Sequence, residues 1–338
     1  MSDPRKPPRL PPDPCSVAVF APSPVITVTI ESGAEAPEIH MHAGGQGYWV
    51  ARMAARLGAH VSLCVPLGGE TGAVLKSLLA VDGVDVLAVQ VDGANGAYVH
   101  DRRQGAREEI ANTPSSVLHR HELDDLYGVA LTAGIEAGAM LLTGPRDEGV
   151  LPPETYERLA RDLKRNGRFV LADLSGDCML AALRGGVNLL KVSDEELIEA
   201  GWLEGTEMGA AIAAAQHLRD QGAASVLISR ESQPALALID DRLLEVSGPR
   251  FTSLDEHGAG DSMFAGLGVA LGSGLPIDDA LRVSAAAGAL NVTRHGLGTG
   301  RPREISRLAA QVRINPVEPD QSPGSPSGAG STASTASW

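Results

Sequence analysis

Short apolar runs alternate along the chain with stretches of helical periodicity. Between the runs, apolar residues recur about every 3.6 residues from Val50 to Leu57, from Tyr156 to Leu163 and from Met208 to Leu218. This alternation predicts parallel βαβ units, and therefore an α/β fold with a mostly parallel central sheet between layers of helices. The runs that predict strands are SVAVF (16–20), VITVTI (25–30), VSLCV (61–65), DVLAVQV (85–91), AMLL (139–142), RFVLAD (168–173), NLLKV (188–192) and SVLIS (225–229).

Two stretches, about 25–45 and 94–112, alternate polar and apolar residues and are followed by no convincing helical pattern. Such alternation is typical of half-buried strands. Ligands of parallel α/β sheets collect at the carboxyl ends of the strands. We therefore expect both stretches to form a small antiparallel lid over that edge of the sheet.

The rest of the chain divides simply. ALALID (235–240) and RLLEV (242–246) predict a hairpin. We find no internal repeat, so the pattern favours one domain with a lid over residues 16–314. The Pro-rich arm 1–15 and the Ser/Gly/Pro-rich tail 315–338 are expected to be disordered.

Composition narrows the possible partners. The formal net charge of −14 argues against nonspecific binding to nucleic acid or to anionic membranes. No apolar run reaches the roughly 18 residues needed to cross a bilayer. The three cysteines are far apart and lack the spacing of metal ligands, which favours a reducing, cytoplasmic location.

The segment Gly258-Ala259-Gly260-Asp261 is the strongest chemical signal. A helical pattern follows it, and glycine permits backbone conformations that turn several N–H groups toward one point. The first N–H groups of a helix lack internal partners, so this start predicts an anion site, with phosphate the usual occupant. The carboxylate of Asp261 at this point could act as the base that deprotonates an attacking hydroxyl. The residues that share one face of the helix are Met263, Leu267, Ala270 and Leu271.

An ordinary turn is the alternative interpretation of this tetrad, because Gly-x-Gly-Asp is common in turns and Asp and Ser are frequent helix N-caps. Gly266 and Gly268 lie inside the predicted helix, where each costs about 1 kcal/mol relative to Ala. That cost indicates close approach by backbone or ligand.

A second glycine cluster, Gly44-Gly45-Gln46-Gly47, precedes the helix that contains Val50. By itself it could equally be a flexible turn. Together with the first cluster it suggests the two ends of one cleft.

With these motifs the chain resembles the ribokinase/phosphofructokinase-B family of sugar kinases, particularly the 1-phosphofructokinase and tagatose-6-phosphate kinase branch. The resemblance covers roughly residues 16 to 312. Four segments match the family's motifs in order: GGQG (44–47), LADLSGDCML (171–180), LLKVSDEEL (189–197) and DEHGAGDSMFAG (255–266).

The resemblance implies a ribokinase-like three-layer α/β/α fold and in-line transfer of the ATP γ-phosphoryl group to a sugar hydroxyl. Asp261 would be the general base. The backbone amides of Gly258, Ala259, Gly260 and Asp261 would stabilise charge on the transferring group.

It also implies residues for ATP and Mg²⁺. Glu196 would hold the Mg²⁺, while Lys191 would lie near the nucleotide phosphates and Ser193 replaces an asparagine of the family motif. Ser193 and Glu196 also form the pattern of a capping box, which is the structural alternative. Ser229 would sit beside the nucleotide, and Asn291 would line the adenine side.

The chain departs from the family on the acceptor side. The entry strand of the family carries an acid that holds sugar hydroxyls, and here that place is taken by Thr27. In the first signature, Gly44 and Gly45 are kept, but the phosphate-binding lysine is Gln46 and the hydroxyl-binding asparagine is Trp49. The lid segment 95–98, Asn-Gly-Ala-Tyr, also lacks the family's phosphate-binding arginine.

These changes indicate an acceptor that differs from fructose 1-phosphate or tagatose 6-phosphate. Trp49 could stack on an apolar ring face or a base, or could belong to the core. Arg102, Arg103 and Arg107 could restore phosphate binding, although a solvated lid face is the more ordinary interpretation. His100 and His257 are expected to be structural.

Three hypotheses follow. The first is an ATP- and Mg²⁺-dependent kinase of a sugar or sugar phosphate. The second is a kinase of an unphosphorylated sugar or nucleoside, and the third is a catalytically silent relative that binds a nucleotide or sugar. The alternating strands of the lid would permit a homodimer.

Overall fold

The computed structural model describes residues 15–80, 83–105, 107–231, 233–252, 257–293 and 297–317. The predicted disordered segments fall outside these ranges at 1–14 and from 318 onward, as do Asp255 and Glu256 of the glycine signature.

In chain order the strands are β1 (Ser16–Phe20), β2 (Val25–Glu31), β3 (Glu38–Gly44), β4 (His60–Gly68), β5 (Val84–Val91), β6 (Ala97–Asp101), β7 (Glu108–Thr113), β8 (Ala139–Thr143), β9 (Val170–Asp173), β10 (Leu189–Ser193), β11 (Ser225–Ser229), β12 (Ala235–Ile239), β13 (Arg242–Ser247) and β14 (Arg313–Pro316). The helices are α1 (Gln46–Arg56), α2 (Gly69–Leu78), α3 (Arg120–Glu136), α4 (Glu154–Arg165), α5 (Gly176–Gly185), α6 (Asp194–Glu199), α7 (Met208–Asp220), α8 (Ala259–Gly272), α9 (Ile277–Asn291) and α10 (Pro302–Ala309).

The central sheet has ten strands in the order β14-β13-β12-β11-β10-β9-β8-β1-β4-β5. The strands from β11 to β5 pair in parallel, and β12, β13 and β14 add antiparallel pairs at one end. The mostly parallel sheet is therefore confirmed, as is the hairpin of β12 and β13. Because β14 pairs with β13 through Pro316, ordered backbone continues two residues past the predicted domain end at 314.

Helices cover both faces of this sheet. Along β1, Val17 and Val19 pack into a core shared with α1, α8 and α9, while Ala18 and Phe20 pack into a second core with α3, α4 and α7. The two cores follow from the period of two in a strand, which sends successive side chains to opposite faces. In the part of the chain that the structure describes, no helix is both long and apolar enough to cross a membrane.

The lid is a separate four-stranded sheet in the order β3-β2-β6-β7. It occupies the two stretches predicted for it. Its outer pairs are antiparallel, but β2 and β6 are parallel, so the expectation of a purely antiparallel lid was wrong. The chain leaves the lid after β3 and builds α1, β4, α2 and β5 before it returns, and it returns in the direction of β2.

Helix α8 begins at Ala259, as the sequence predicts, but it is buried on nearly all sides rather than on one face. It packs between α9, α1 and β8. A Cβ at Gly266 would lie 3.2 Å from the Val283 carbonyl oxygen, and one at Gly268 would lie 2.6 Å from Leu141 Cδ2. Close packing of neighbouring elements, rather than a ligand, explains both glycines.

Candidate active site

A cavity of about 750 Å³ lies where β10 and β11 end and α8 begins. Its walls come from segments that are distant in sequence and that the parallel sheet brings to one edge. The predicted residues that line it are Gln46, Lys191, Ser193, Glu196, Ser229, Gly258, Ala259, Gly260 and Asp261.

The start of α8 forms the floor of the cavity. Gly258 is the N-cap with φ of 73°, in the left-handed region that glycine tolerates. Its carbonyl oxygen accepts a hydrogen bond from Ser262 N at 3.0 Å. The amides of Ala259, Gly260 and Asp261 are in the first turn and have no partner within the helix. The backbone at this helix start is therefore compatible with an anion site, which stays a prediction.

Lys191 and Asp173 form a buried ion pair beside this helix start. Lys191 Nζ lies 3.0 Å from Asp173 Oδ2, and the two side chains are only 6% and 1% exposed. The pair forms because the two residues are directly opposite in the parallel register of β10 and β9. A Cβ at Gly260 would lie 2.8 Å from Lys191 Nζ, so glycine at this position lets the ammonium group reach the helix backbone.

Gln46 belongs to the same buried network. Its Oε1 accepts a hydrogen bond from Gly144 N at 2.8 Å, and its side chain is hydrogen-bonded to the Asp173 carboxylate. Gln46 was predicted to contact the acceptor. It lines the cavity, but its polar atoms are committed to Gly144 and Asp173.

Burial, reinforced by the Asp173 carboxylate and opposed by Lys191, raises the pKa of Asp261 to about 7. Burial likewise raises the pKa of Asp173 to about 6. Burial alone would lower the pKa of Lys191, but Asp173, Glu196 and Asp261 outweigh it and raise the pKa. The site thus holds one ammonium group among three carboxyl groups, and one of these titrates near neutral pH.

Glu196 is held at the cavity by the capping box of α6. Ser193 N and Ser193 Oγ each lie 2.8 Å from Glu196 Oε2. The capping alternative is therefore present, yet Glu196 also lines the cavity and raises the pKa of Asp261. An excess of carboxylate oxygens around one ammonium fits a hard divalent cation such as Mg²⁺.

Ser229 and Asn291 have different surroundings. Ser229 lines the cavity at the end of β11. Asn291 is buried, donates a hydrogen bond to the His257 carbonyl at 2.9 Å and accepts one from Gly298 N at 3.1 Å. Asn291 does not line this cavity, and its hydrogen bond fixes the residue that precedes Gly258. Its place on the adenine side stays a prediction.

The predicted acceptor residues Thr27 and Gly44 belong to the lid strands β2 and β3, and Gly45 follows β3 directly. Gly45 has φ of 95°, and Gly44 is flanked by the hydroxyl groups of Thr27 and Tyr98, so closely that a Cβ would overlap Thr27 Oγ1. Thr27 is buried and does not line the cavity.

Trp49 is a core residue. Its side chain is 8% exposed and packs against Tyr48, with ring centroids 4.8 Å apart. The core alternative is therefore present, because α1 turns this position toward the apolar layer, while contact with the acceptor stays a prediction.

The sequence did not predict the roles of two buried residues, Asp173 and Asn95. Asp173 lies in a matched segment, but no short motif marks it as a partner of Lys191. Asn95 is buried and donates to the carbonyl of Pro66 at 3.0 Å while it accepts from Gly68 N at 2.9 Å. It ties the lid's base to the end of β4. Its placement in the lid motif was the only available signal.

Comparison with known proteins agrees with this geometry. A family model described as pfkB family carbohydrate kinase matches residues 22–304. The ATP-dependent 6-phosphofructokinase isozyme 2 of Escherichia coli (strain K12) is 30% identical over 260 residues, which cover 75% of this chain and 82% of that protein. A 1-phosphofructokinase of Vibrio cholerae is 25% identical over 279 residues, or 82% and 88% of the two chains. Among solved structures, the tetrameric inhibited form of phosphofructokinase-2 from Escherichia coli matches with a TM-score of 0.75 and 25% identity, over 88% of this chain and 99% of that chain.

Proposed function

The chain belongs to the pfkB family of carbohydrate kinases, and on this premise we propose that Asp261 is the base of an ATP-dependent sugar phosphorylation. The observation that carries the proposal is the position of Asp261. It lies in the first turn of α8, in the wall of the cavity, with its pKa raised to about 7 by burial. A base titrating near the working pH suits the deprotonation of a hydroxyl.

The other residues of the helix start have a complementary role. The free amides of Ala259, Gly260 and Asp261 point into the region where charge develops on the transferring phosphoryl group. Preorganised donors of this kind stabilise that charge without reorganisation, and each is typically worth about 2.7–4 kcal/mol in the barrier. Lys191 adds a positive charge beside Gly260. A Cβ at Gly260 would lie 2.8 Å from Lys191 Nζ.

Glu196 is the proposed holder of Mg²⁺, together with the phosphates of ATP. The cation would neutralise phosphate charge. Its place is supported by the excess of carboxyl groups around Lys191. The capping box keeps Glu196 Oε2 bonded to Ser193, so this side chain is oriented before any ligand binds.

The proposed acceptor is a sugar or a sugar phosphate, which is the class of substrate that the names of the phosphofructokinase relatives indicate. A kinase of an unphosphorylated sugar is the second candidate, and one observation favours it. Gln46 stands where the resemblance places a phosphate-binding lysine, and its polar atoms bond to Gly144 and Asp173.

The second proposal concerns assembly: two copies of the chain pair through their lids. The face of the lid that carries Val28, Ile39, Met41 and Val99 is apolar, and Ile39 is 71% exposed. Contiguous exposed apolar surface of this kind marks protein–protein contacts. The tetramer described for the Escherichia coli protein supports self-association. The proposed location is the cytoplasm. It is supported by the three cysteines, which form no disulfide.

The test is ATP turnover against a panel of free sugars, nucleosides and sugar phosphates, with the phosphorylated product identified by ³¹P NMR. We expect at least one sugar or sugar phosphate to accelerate ADP formation and to appear as a new phosphate ester. If every acceptor leaves the rate of ATP hydrolysis unchanged, the proposed function is contradicted.

A further inference from the structure

An imidazole and two carboxylates meet at the start of α3. One ligand atom from each of Asp92, His121 and Glu122 lies within 4.8 Å of the other two. Imidazole nitrogen and carboxylate oxygen are the ligands with which proteins hold Zn²⁺ and related divalent cations. None of the three residues lines the cavity that holds Asp261. The three groups therefore form a cluster of their own, outside the candidate active site.

Backbone hydrogen bonds orient Glu122 within this cluster. The residue is 3% exposed. Its Oε1 accepts a hydrogen bond from Asp92 N at 2.6 Å, and its Oε2 accepts one from His119 N at 2.6 Å. A carboxylate offers about four lone-pair sites on its two oxygens. The amide bonds therefore hold Glu122 in place and still leave lone pairs for a cation.

The negative charge of the cluster has no basic partner. Within the described ranges, neither Asp92 nor Glu122 forms an ion pair with lysine or arginine. A carboxylate that is buried without a compensating charge is costly, and two neighbouring carboxylates repel each other. A divalent cation between Asp92 and Glu122 would remove both costs.

The geometry leaves one coordination position for water. Zn²⁺ takes ligands at about 2.0–2.2 Å in a tetrahedron, so that its ligand atoms lie about 3.5 Å apart. The side chains of Asp92 and His121 are exposed and can rotate by the small distance that remains. Glu122 also lines a cavity of about 10 Å³, which is about the room that one water molecule needs. Three protein ligands and one water would complete the tetrahedron.

The cluster lies at the base of the lid. Asp92 directly follows β5, and the chain then enters lid strand β6. Lid strand β7 leads back to α3, whose first turn carries His121 and Glu122. The two connecting segments are already joined by a hydrogen bond from Ser116 N to the Ala94 carbonyl oxygen at 3.0 Å. A cation held by residues of both segments would link them more firmly.

We propose that Asp92, His121 and Glu122 bind one divalent transition-metal ion, for which Zn²⁺ is the best fit, and that the bound ion fixes the base of the lid. This ion is distinct from the Mg²⁺ of the proposed kinase reaction, because Mg²⁺ takes six oxygen ligands and keeps several waters. The inference does not depend on the kinase function.

Asp92→Asn and His121→Ala remove one ligand each from an exposed position, so both variants should fold. Glu122 is left unchanged because its carboxylate also accepts hydrogen bonds from the backbone. Asp85→Asn on β5 and His60→Ala on β4 are the matched controls. They change the same kinds of group at exposed positions outside the cluster.

The experiment is a calorimetric titration of the metal-free full-length chain with Zn²⁺. We expect wild type and both controls to bind one Zn²⁺ at this site. Asp92→Asn and His121→Ala should each weaken that binding about tenfold or more, since even the loss of a residue that only supports a metal ligand costs about 10–100-fold. Hydrogen exchange is the second measurement. Zn²⁺ should slow the exchange of amides in β6 and β7 in wild type and in neither ligand variant.

A further variant, Glu196→Gln, distinguishes this site from the candidate active site. Zn²⁺ binding that is kept in Glu196→Gln and weakened in Asp92→Asn and His121→Ala supports the inference. Zn²⁺ that binds with wild-type affinity to both ligand variants, or that fails to bind to wild type, would overturn it. If Zn²⁺ binds at the cluster but the exchange of β6 and β7 is unchanged, the proposed effect on the lid is wrong.

Discussion

At the scale of single residues, the buried network of Asp261, Asp173, Lys191 and Gln46 explains why an acid can stand at an anion site. Burial and a neighbouring carboxylate raise the pKa of Asp261 to about 7, while Lys191 supplies the compensating charge. The tetrad predicts Asp261 from sequence alone. The partners could not be predicted, because Asp173 meets Lys191 only through the register of β9 and β10, and Gln46 is placed by the hydrogen bond that it accepts from Gly144.

The pH dependence of turnover tests the state of Asp261. A base must be deprotonated, so kcat/KM should fall as pH decreases through the pKa of about 7. The measurement is kcat/KM for the best acceptor between pH 5 and 9, at saturating ATP and Mg²⁺. A profile that stays flat down to pH 5.5 would contradict the assignment.

The same pKa predicts a stability effect. Because the folded-state pKa of Asp261 is raised, its contribution to stability is full below the ordinary pKa of 3.8 and is lost as pH rises through about 7. Asp261→Asn keeps a neutral side chain at every pH. We therefore expect its Tm to match wild type near pH 4 and to exceed it by several degrees at pH 8.

The control for that measurement is Asp85→Asn, which changes an exposed acid on β5. It should shift Tm little at either pH. An Asp261→Asn protein that is no more stable than wild type at pH 8 would show that the carboxyl group is not penalised by burial.

At the scale of secondary structure, the period of the apolar pattern predicts most strands of the central sheet and the hairpin. The lid was predicted from its polar and apolar alternation, but its strand directions were not. Pairing of β2 with β6 depends on the path of the chain between them, which no local pattern records. The burial of Asn291 and Trp49 likewise depends on how a whole helix is turned.

Two helical glycines distinguish the effect of close packing from the effect of helix propensity on stability. Gly266→Ala in α8 places a Cβ against the backbone of α9, at 3.2 Å from the Val283 carbonyl oxygen, so we expect a loss of about 1–3 kcal/mol in unfolding free energy. Gly128→Ala in α3 meets no atom within 4 Å and should gain about 0.4–1 kcal/mol. Urea denaturation measures both. Equal stabilisation by the two substitutions would refute the close packing of α8 on α9.

At the scale of the whole molecule, the lid has two faces that differ in polarity and in exposure. Its polar face, with Thr27, Thr29, Tyr98 and His100, is buried, and its apolar face carries the exposed Ile39 and Met41. The polar and apolar alternation of the sequence shows only that two faces exist. It does not show which face is buried. The fold decides which face is turned toward the cavity.

Self-association tests the exposed face. Ile39→Asp places a charge on the apolar face of the lid, and we expect the protein to become a monomer by light scattering. Val117→Asp is the control, since Val117 is 61% exposed but lies outside the lid. A wild-type monomer, or an Ile39→Asp protein with unchanged mass, would contradict pairing through the lid.

The most direct test of the central claim is phosphoryl transfer by Asp261→Asn, measured with the acceptor that wild type turns over fastest. Removal of the general base should lower kcat by about 10²–10⁴-fold, while calorimetry shows ATP still bound with wild-type affinity. A variant that transfers phosphate at the wild-type rate would contradict the role of Asp261 as the base.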